Sequence, residues 1–392
     1  MSERRVFLIV LDSLGIGSMP DASEYGDEQS NTLKSIVQSD EYNTPNLCKL
    51  GLFNIEGVDY CEKELSPQAS FARMAETSNG KDTTIGHWEI CGCISEAPLP
   101  VYKNGFPDEI IHKFSDLTGR EIICNKPYSG TQLLLDYGQE HEKTGALIVY
   151  TSADSVFQIA AHEDVVPLEE LYKCCEIARS IMVGKNGVGR IIARPFNGEY
   201  PYYKRTANRR DYSILPPSRT ILDDISRTGL PVVGIGKIYD IFCGRGITKK
   251  IKTISNIDGM EKTIEEAKSS TGGLVFVNLV DFDMLYGHRN NVNGYARAMT
   301  VFDKQLGELI DCLKKDDIVI ITADHGCDPI TESTDHSREY VPMIIFGNNI
   351  KPGVNLKTRS SFADIGATVV DYLGVISNTS GDSFLDKVIK NF

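Results

Sequence analysis

The sequence predicts an α/β fold: a mainly parallel central sheet with helices on both faces, and a smaller α/β domain inserted in it. Three observations point there. Strand-like apolar runs alternate with helical patterns along the 392 residues, the arrangement expected of a parallel sheet. Several of those runs close on an acidic residue, and a charge at the end of a buried strand is costly unless something pairs with it. Prolines set off the middle of the chain on both sides.

RVFLIVLD is the first strand candidate and ends in Asp12. From about Pro98 to Pro217 lie two more, GALIVYTSAD and GVGRIIARPF. LPVVGIGK, GGLVFVNLV, DIVIITAD and YVPMIIFG follow. Between them ARAMTVFDKQLGELIDCLKK has an apolar stripe at helical spacing: Ala298, Phe302, Leu306, Leu309, Ile310 and Leu313. SFADIGATVVDYLG is the last helical candidate. Pro98, Pro100 and Pro107 near one boundary, and Pro216 and Pro217 near the other, favour extended or turn backbone and suit a domain junction. The expected division is a discontinuous catalytic core, 1–97 and 218–392, with an inserted cap, 98–217. The rival arrangement is one continuous large sheet. No internal repeat or low-complexity segment stands out.

A net charge of −13 argues against a general nucleic-acid or anionic-membrane surface. No run approaches the ~20 apolar residues needed to span a bilayer. The apolar stretch after Arg4-Arg5 is short and broken by Asp12, so no secretory signal is expected. The ten cysteines include no Cys-x-x-Cys pair; Cys91 and Cys93 flank a glycine, and Cys174 and Cys175 are adjacent. Reduced thiols in a cytoplasmic protein are the expectation.

Asp12, Asp283, His288, Asp324, His325 and His336 form the candidate metal set, with Asp335 beside the last. Charges at the ends of different strands of one parallel sheet meet at a single edge, where open α/β sheets place ligands. A single Asp-His pair is ordinarily a turn or a hydrogen-bonded pair. Three of the seven histidines falling in these segments, each near an aspartate, reverse that balance. Oxygen and imidazole together suit Mn²⁺, Zn²⁺ or Fe²⁺ better than Ca²⁺. Asp324 and His325 would point to opposite faces of an extended strand. Both reach one ion only if the chain has already turned, as the following Gly326 permits.

GKDTTIGHWEICG holds two threonines beside an acid. Thr83 or Thr84 next to metal ions could become a transient phosphothreonine, because coordination lowers a hydroxyl pKa. A helix starting here would turn its N-terminal amides toward that phosphate. The simpler reading of the segment alone is an N-cap at Asp82, Thr83 or Thr84. It is no P-loop, since Asp82 stands where Ser or Thr is required. Lys185, Arg190, Arg194, Lys204, Arg205, Arg209 and Arg210 face one acid, Glu199, across that stretch. This is either a solvated basic face or a phosphate-binding surface. Arg194, after the apolar RII, is the expected inward-facing member.

LDSLGIGSMPDA, GKDTTIGHWE, YTSADSVFQIAAHE, NLVDFDMLYGHR, TADHGCDP and TDHSREYVP, in this order, closely resemble the prokaryotic-type phosphopentomutases of the alkaline phosphatase superfamily. The match runs nearly end to end, and TADHG alone would indicate only the superfamily. The resemblance implies a two-metal core with a mobile inserted cap. It implies reversible transfer of phosphate between C1 and C5 of ribose or 2-deoxyribose, with two Mn²⁺ ions and a bisphosphorylated sugar as activator. The cap would exclude water from a phosphothreonine. Carried onto matching positions, one ion falls to Asp12, Asp324 and His325, completed by the nucleophilic threonine. The second falls to Asp283, His288 and His336. The order of the related phosphoglycerate mutases selects Thr83 over Thr84. Asp154 is similar to the cap residue that holds a sugar hydroxyl; Arg194 and Lys237 are similar to phosphate or sugar contacts. Thr84, Ile85, Cys93 and Cys327 occupy positions not expected to be fixed in the family. A phosphatase, a phosphodiesterase or a phosphoglycerate mutase on the same core is the alternative. The expected partners are small pentose phosphates, with neither nucleic acid nor membrane; the oligomeric state is left open.

Overall fold

A computed structural model describes residues 4–152, 155–269 and 271–390. The chain forms two compact units, one built from both ends, Met1–Pro98 and Pro216–Phe392, the other from Leu99–Leu215. Pro98, Pro216 and Pro217 thus go with the first unit.

The first unit holds an eight-stranded sheet. Its order is Lys249–Ile251, Val232–Ile235, Gly273–Leu279, Arg5–Leu11, Asp317–Thr322, Val341–Gly347, Ser70–Met74 and Asn355–Arg359. Only Val341–Gly347 runs against the rest, pairing antiparallel with both neighbours. The three central strands carry the apolar runs RVFLIVL, GLVFVNL and DIVIIT, buried at every position. Such unbroken burial is what a parallel sheet covered on both faces demands.

Register is pinned where the first strand begins. Arg5 pairs with Asp317 across the ladder, and its guanidinium grips that carboxylate in a fork, Nε to Oδ1 at 3.0 Å and Nη2 to Oδ2 at 2.7 Å. The remaining donors reach the carbonyls of Glu266, Ala267 and Ser269. A buried charge pair is tolerable when its other hydrogen-bonding positions are also filled.

The helix Val292–Cys312 starts at Asn291, whose side chain accepts from Gly294 N at 2.9 Å. Its buried face is Tyr295, Ala296, Met299, Phe302, Leu306 and Leu309, with Asp303 and Gln305. The predicted stripe is corrected at three places: Ala298 and Ile310 are only half-buried, and Leu313 lies past the last turn. Asp303 is buried because it accepts from the amides of Asn46 and Leu47, capping a neighbouring helix rather than meeting solvent.

The second unit has a six-stranded sheet. Leu147–Thr151, Val156–His162 and Arg190–Asn197 lie at its centre, and Phe106, Phe114, Phe157 and Ile191 are among its core residues. Its basic stretch is less unpaired than the sequence window suggested. Asp211, just beyond that window, takes Arg209 in a two-bond fork at 2.7 Å each, and Arg210 lies 3.9 Å from the Tyr172 ring centre. Among the described residues all ten cysteines are unbridged, and no helix is long and apolar enough to cross a membrane.

Candidate metal centre

Asp12 directly follows the strand Arg5–Leu11, Asp324 lies two residues past Thr322, and Asp283 four past Leu279. These strands are adjacent and parallel at the middle of the sheet. Their carboxyl ends therefore deliver three carboxylates to one edge.

Two ligand groups form there. Asp12, Asp324 and His325 bring their ligand atoms within 4.8 Å of one another. His325 Nε2 is 3.4 Å from Asp12 Oδ1, 3.5 Å from Asp324 Oδ2 and 3.1 Å from Thr83 Oγ1. In the second group, His288 Nε2 is 3.1 Å from Asp283 Oδ2, and His336 Nε2 is 3.4 Å from Asp283 Oδ1. The two Nε2 atoms of that group are 3.2 Å apart. Asp283, His325 and His336 also lie within 4.8 Å, so the groups are contiguous.

The buried oxygens Asp12 Oδ1, Asp324 Oδ2 and Asp283 Oδ1 have no hydrogen-bond partner. Leaving three carboxylate oxygens unsatisfied inside a protein is costly. Two imidazole nitrogens facing each other beside a carboxylate add to that cost unless a cation lies among them. Oxygen and nitrogen donors in this number fit two divalent ions.

Electrostatics agree. Burial and the neighbouring Asp324 charge push the Asp12 carboxyl above its ordinary range. Burial works the same way on Asp283, yet His336 and His288 hold that carboxyl well below. Burial opposes the charged form of His325, but Asp324 and Asp12 raise it well above the usual imidazole range. Without a metal, protons on the imidazoles are what balance the acids.

Backbone partners aim the rings. His325 Nδ1 lies 3.0 Å from Gly326 O, and His288 Nδ1 lies 2.6 Å from Thr334 O. Each leaves Nε2 for the centre. The strand has indeed turned before His325: Asp324 and His325 lie outside it, and Gly326 bridges to Ser337. Ser13 has φ of +73°, sparsely populated for a residue with a side chain. That turn brings Ser13 N to donate to Asp324 Oδ1 at 3.1 Å.

Thr83 opens the helix Thr83–Ile90, and Asp82 is its N-cap, accepting from Thr84 N and Ile85 N. The cap and the nucleophile readings of this segment thus fall on different residues. The expectation that first-turn amides would serve a phosphate is corrected in part, because those of Thr84 and Ile85 are already held by Asp82.

The helix also carries His87, one turn beyond Thr83. His87 Nδ1 is 2.8 Å from Thr83 O and 3.1 Å from Asp324 Oδ2, and Nε2 is 3.3 Å from Asn278 Nδ2. Asn278 in turn donates to Asp12 Oδ2 at 2.7 Å. Sequence reasoning assigned neither residue a role. Signals existed: His87 is four residues from Thr83, and Asn278 is the polar member of an apolar run. Arg338 was missed for want of any local signal. It is buried, donating from Nη1 to Glu76 Oε2, Ser78 O and Gly80 O at 2.6, 2.9 and 2.6 Å. That clamps the loop leading into Thr83 to the segment carrying His336.

Gly86 allows the helix to approach the centre. A Cβ there would stand 2.2 Å from the backbone oxygen of Asp324. Gly86→Ala is expected to move Thr83 away from His325 and lower kcat about a hundred-fold, the effect of a shift near ~1 Å. Wild-type kcat in a folded variant would refute the packing argument.

Of the remaining expected residues, Lys237 caps the short helix Ile238–Ile241 just past the strand Val232–Ile235 and is half-buried. Arg194 belongs to the second unit, half-buried, with Nε donating to Gln158 Oε1 at 3.0 Å. Asp154 lies outside the described residues. Asp335 joins neither ligand group; its Oδ1 accepts from His336 N and its Oδ2 lies 3.7 Å from Lys81 Nζ.

Comparison with known proteins agrees with this geometry. Residues 4–377 match the metalloenzyme superfamily. A phosphopentomutase of Lachnoclostridium phytofermentans is 59% identical over 388 residues, 99% of this chain and 100% of that protein. A phosphopentomutase of Acetivibrio thermocellus is 53% identical, covering 98% of this chain and 100% of its own length. Among solved structures, the PH0037 protein of Pyrococcus horikoshii aligns with a TM-score of 0.50 at 16% identity, over 97% of this chain and 100% of that one. That likeness concerns the fold alone.

Proposed function

The chain belongs to the phosphopentomutases within the metalloenzyme superfamily, intramolecular phosphotransferases of the isomerase class, and from that premise we propose how its residues perform the reaction. The substrates are ribose or 2-deoxyribose phosphates, interconverted between the 1- and 5-positions. Asp12, Asp324 and His325 hold one divalent ion together with the Thr83 hydroxyl; Asp283, His288 and His336 hold the second. Manganese is the proposed ion at both. When bound, the ions would lower the pKa of the Thr83 hydroxyl and stabilise charge on the transferring phosphoryl oxygens.

Thr83 Oγ1 is the acceptor and donor of the phosphoryl group. Phospho-Thr83 gives its phosphoryl group to the free hydroxyl of a pentose monophosphate, and the resulting bisphosphate returns its other phosphoryl group to Thr83. A bisphosphorylated sugar would therefore prime unphosphorylated enzyme. Asp82 holds the first turn of the helix and keeps Thr83 at its mouth. His87 and Asn278 orient the Asp324 and Asp12 carboxylates. Lys237, Arg194 and Asp154 are the proposed contacts to sugar and phosphate. Ten cysteines without a disulfide among the described residues suit a reducing, cytoplasmic setting.

The observation that carries this reading is the Thr83 hydroxyl 3.1 Å from His325 Nε2, at the edge of a centre with three unpartnered carboxylate oxygens. Manganese-loaded protein, primed with a pentose bisphosphate, is incubated with ribose 1-phosphate and followed by phosphorus NMR. Ribose 5-phosphate is the expected product. Free phosphate as the main product would reject the mutase reading in favour of hydrolysis. Faster turnover of phosphoglycerate would reject the pentose.

A further inference from the structure

One donor at the centre has no part in either ligand set. Cys327 follows His325 by two residues, and its side chain is 1% exposed. Its sulfur lies on the side of the second group: one ligand atom each from Asp283, His288 and Cys327 fall within 4.8 Å of one another. The sulfur is held close to the turn that carries His288, since a Cβ on Gly287 would meet Cys327 Sγ at 2.9 Å. The backbone is fixed too, with Cys327 N donating to Thr32 Oγ1 at 3.1 Å. The thiol's present partner is weak, the carbonyl of Asp335 at 3.5 Å. Independently, Asp283 is 6% exposed and its Oδ1 is buried in the same cluster without a hydrogen-bond partner.

We propose that Cys327 is a sulfur ligand of the second ion, making that position favour zinc, cobalt(II) and cadmium over manganese. Carboxylate and imidazole alone discriminate poorly among first-row ions, whereas a thiolate selects the softer ones. With Asp283, His288 and His336, Cys327 would make a four-donor set of the kind that holds zinc. The Sγ–H bond is exchanged for a sulfur–metal bond, and the proton passes to solvent. The chain would then be sensitive to which ion loads the second position, and the first position, without sulfur, would keep its preference for harder ions. This inference rests on the two-ion reading above.

The test is spectroscopic and needs no turnover. Metal-free protein is loaded with cobalt(II), bound metal is counted by elemental analysis, and the near-ultraviolet spectrum is recorded. A sulfur-to-cobalt charge-transfer band is expected in the wild type and its loss in Cys327→Ser, or in Cys327→Ala should the serine variant not fold. In competition dialysis the same substitution should lower the cadmium-to-manganese binding ratio by at least about ten-fold, the weight of one soft ligand. Two bound ions without the band would overturn the sulfur ligand and leave the two-ion reading intact. A band that persists in both variants would belong to another thiol, such as the exposed Cys243, and would also overturn it. Absence of bound metal would reject the two-ion reading itself.

Discussion

Thr83→Ala is expected to abolish phosphoryl transfer, with kcat lower by at least about a thousand-fold, as for loss of a covalent nucleophile. The fold should hardly notice. Asp82, not Thr83, caps the helix, and alanine is a good residue in a first turn, so the stability change should stay within about 0.5 kcal/mol. Both ions should remain bound, because Thr83 contributes one neutral oxygen to a set that keeps Asp12, Asp324 and His325. Turnover of primed enzyme, bound manganese and a thermal melt on the same preparation check this. Substantial turnover would show that the acceptor is another group, with Thr84 the first alternative. Loss of the metal along with turnover would show instead that Thr83 holds the ion.

Asp12→Asn should separate binding from folding in the opposite sense. The Asp12 carboxyl is fully buried, raised by burial and by the Asp324 charge. Without metal it is a liability, so the neutral amide should make the metal-free protein more stable, by about 1 kcal/mol. The asparagine can still accept from Asn278, which now donates to Asp12 Oδ2 at 2.7 Å. With manganese the order reverses. A ligand at a hundred times its dissociation constant stabilises the native state by about 2.7 kcal/mol, and the variant forfeits most of that at the first position. Turnover should fall about a thousand-fold, in step with the ion lost. Melts with and without manganese decide the matter. Equal metal-induced shifts in wild type and variant, or a metal-free variant less stable than its parent, would sink the idea that these oxygens are reserved for a cation.

Much of the architecture was legible because it depends on local pattern. RVFLIVL, GLVFVNL and DIVIIT read as buried strands from their unbroken apolar character, and their parallel pairing follows from the helical stretches between them. The same logic failed for the stripe on Val292–Cys312. A period of 3.6 fits several overlapping faces, and the one chosen was turned toward Ala298 and Ile310 rather than Tyr295, Ala296 and Met299. The basic stretch was misjudged for a related reason. A window of sequence cannot see that Asp211 folds back onto Arg209.

The sequence by itself determined the kinds of atoms available and the strand ends on which Asp12, Asp283 and Asp324 stand, because side-chain chemistry and strand pattern are properties of short stretches. Only the tertiary structure decided which groups face one another. Gly86 seating a helix on the Asp324 carbonyl, Arg338 gripping the loop before Thr83 and Cys327 turning its sulfur toward Asp283 and His288 are contacts between residues far apart along the chain. They exist because close packing and the satisfaction of buried polar groups are settled in three dimensions at once.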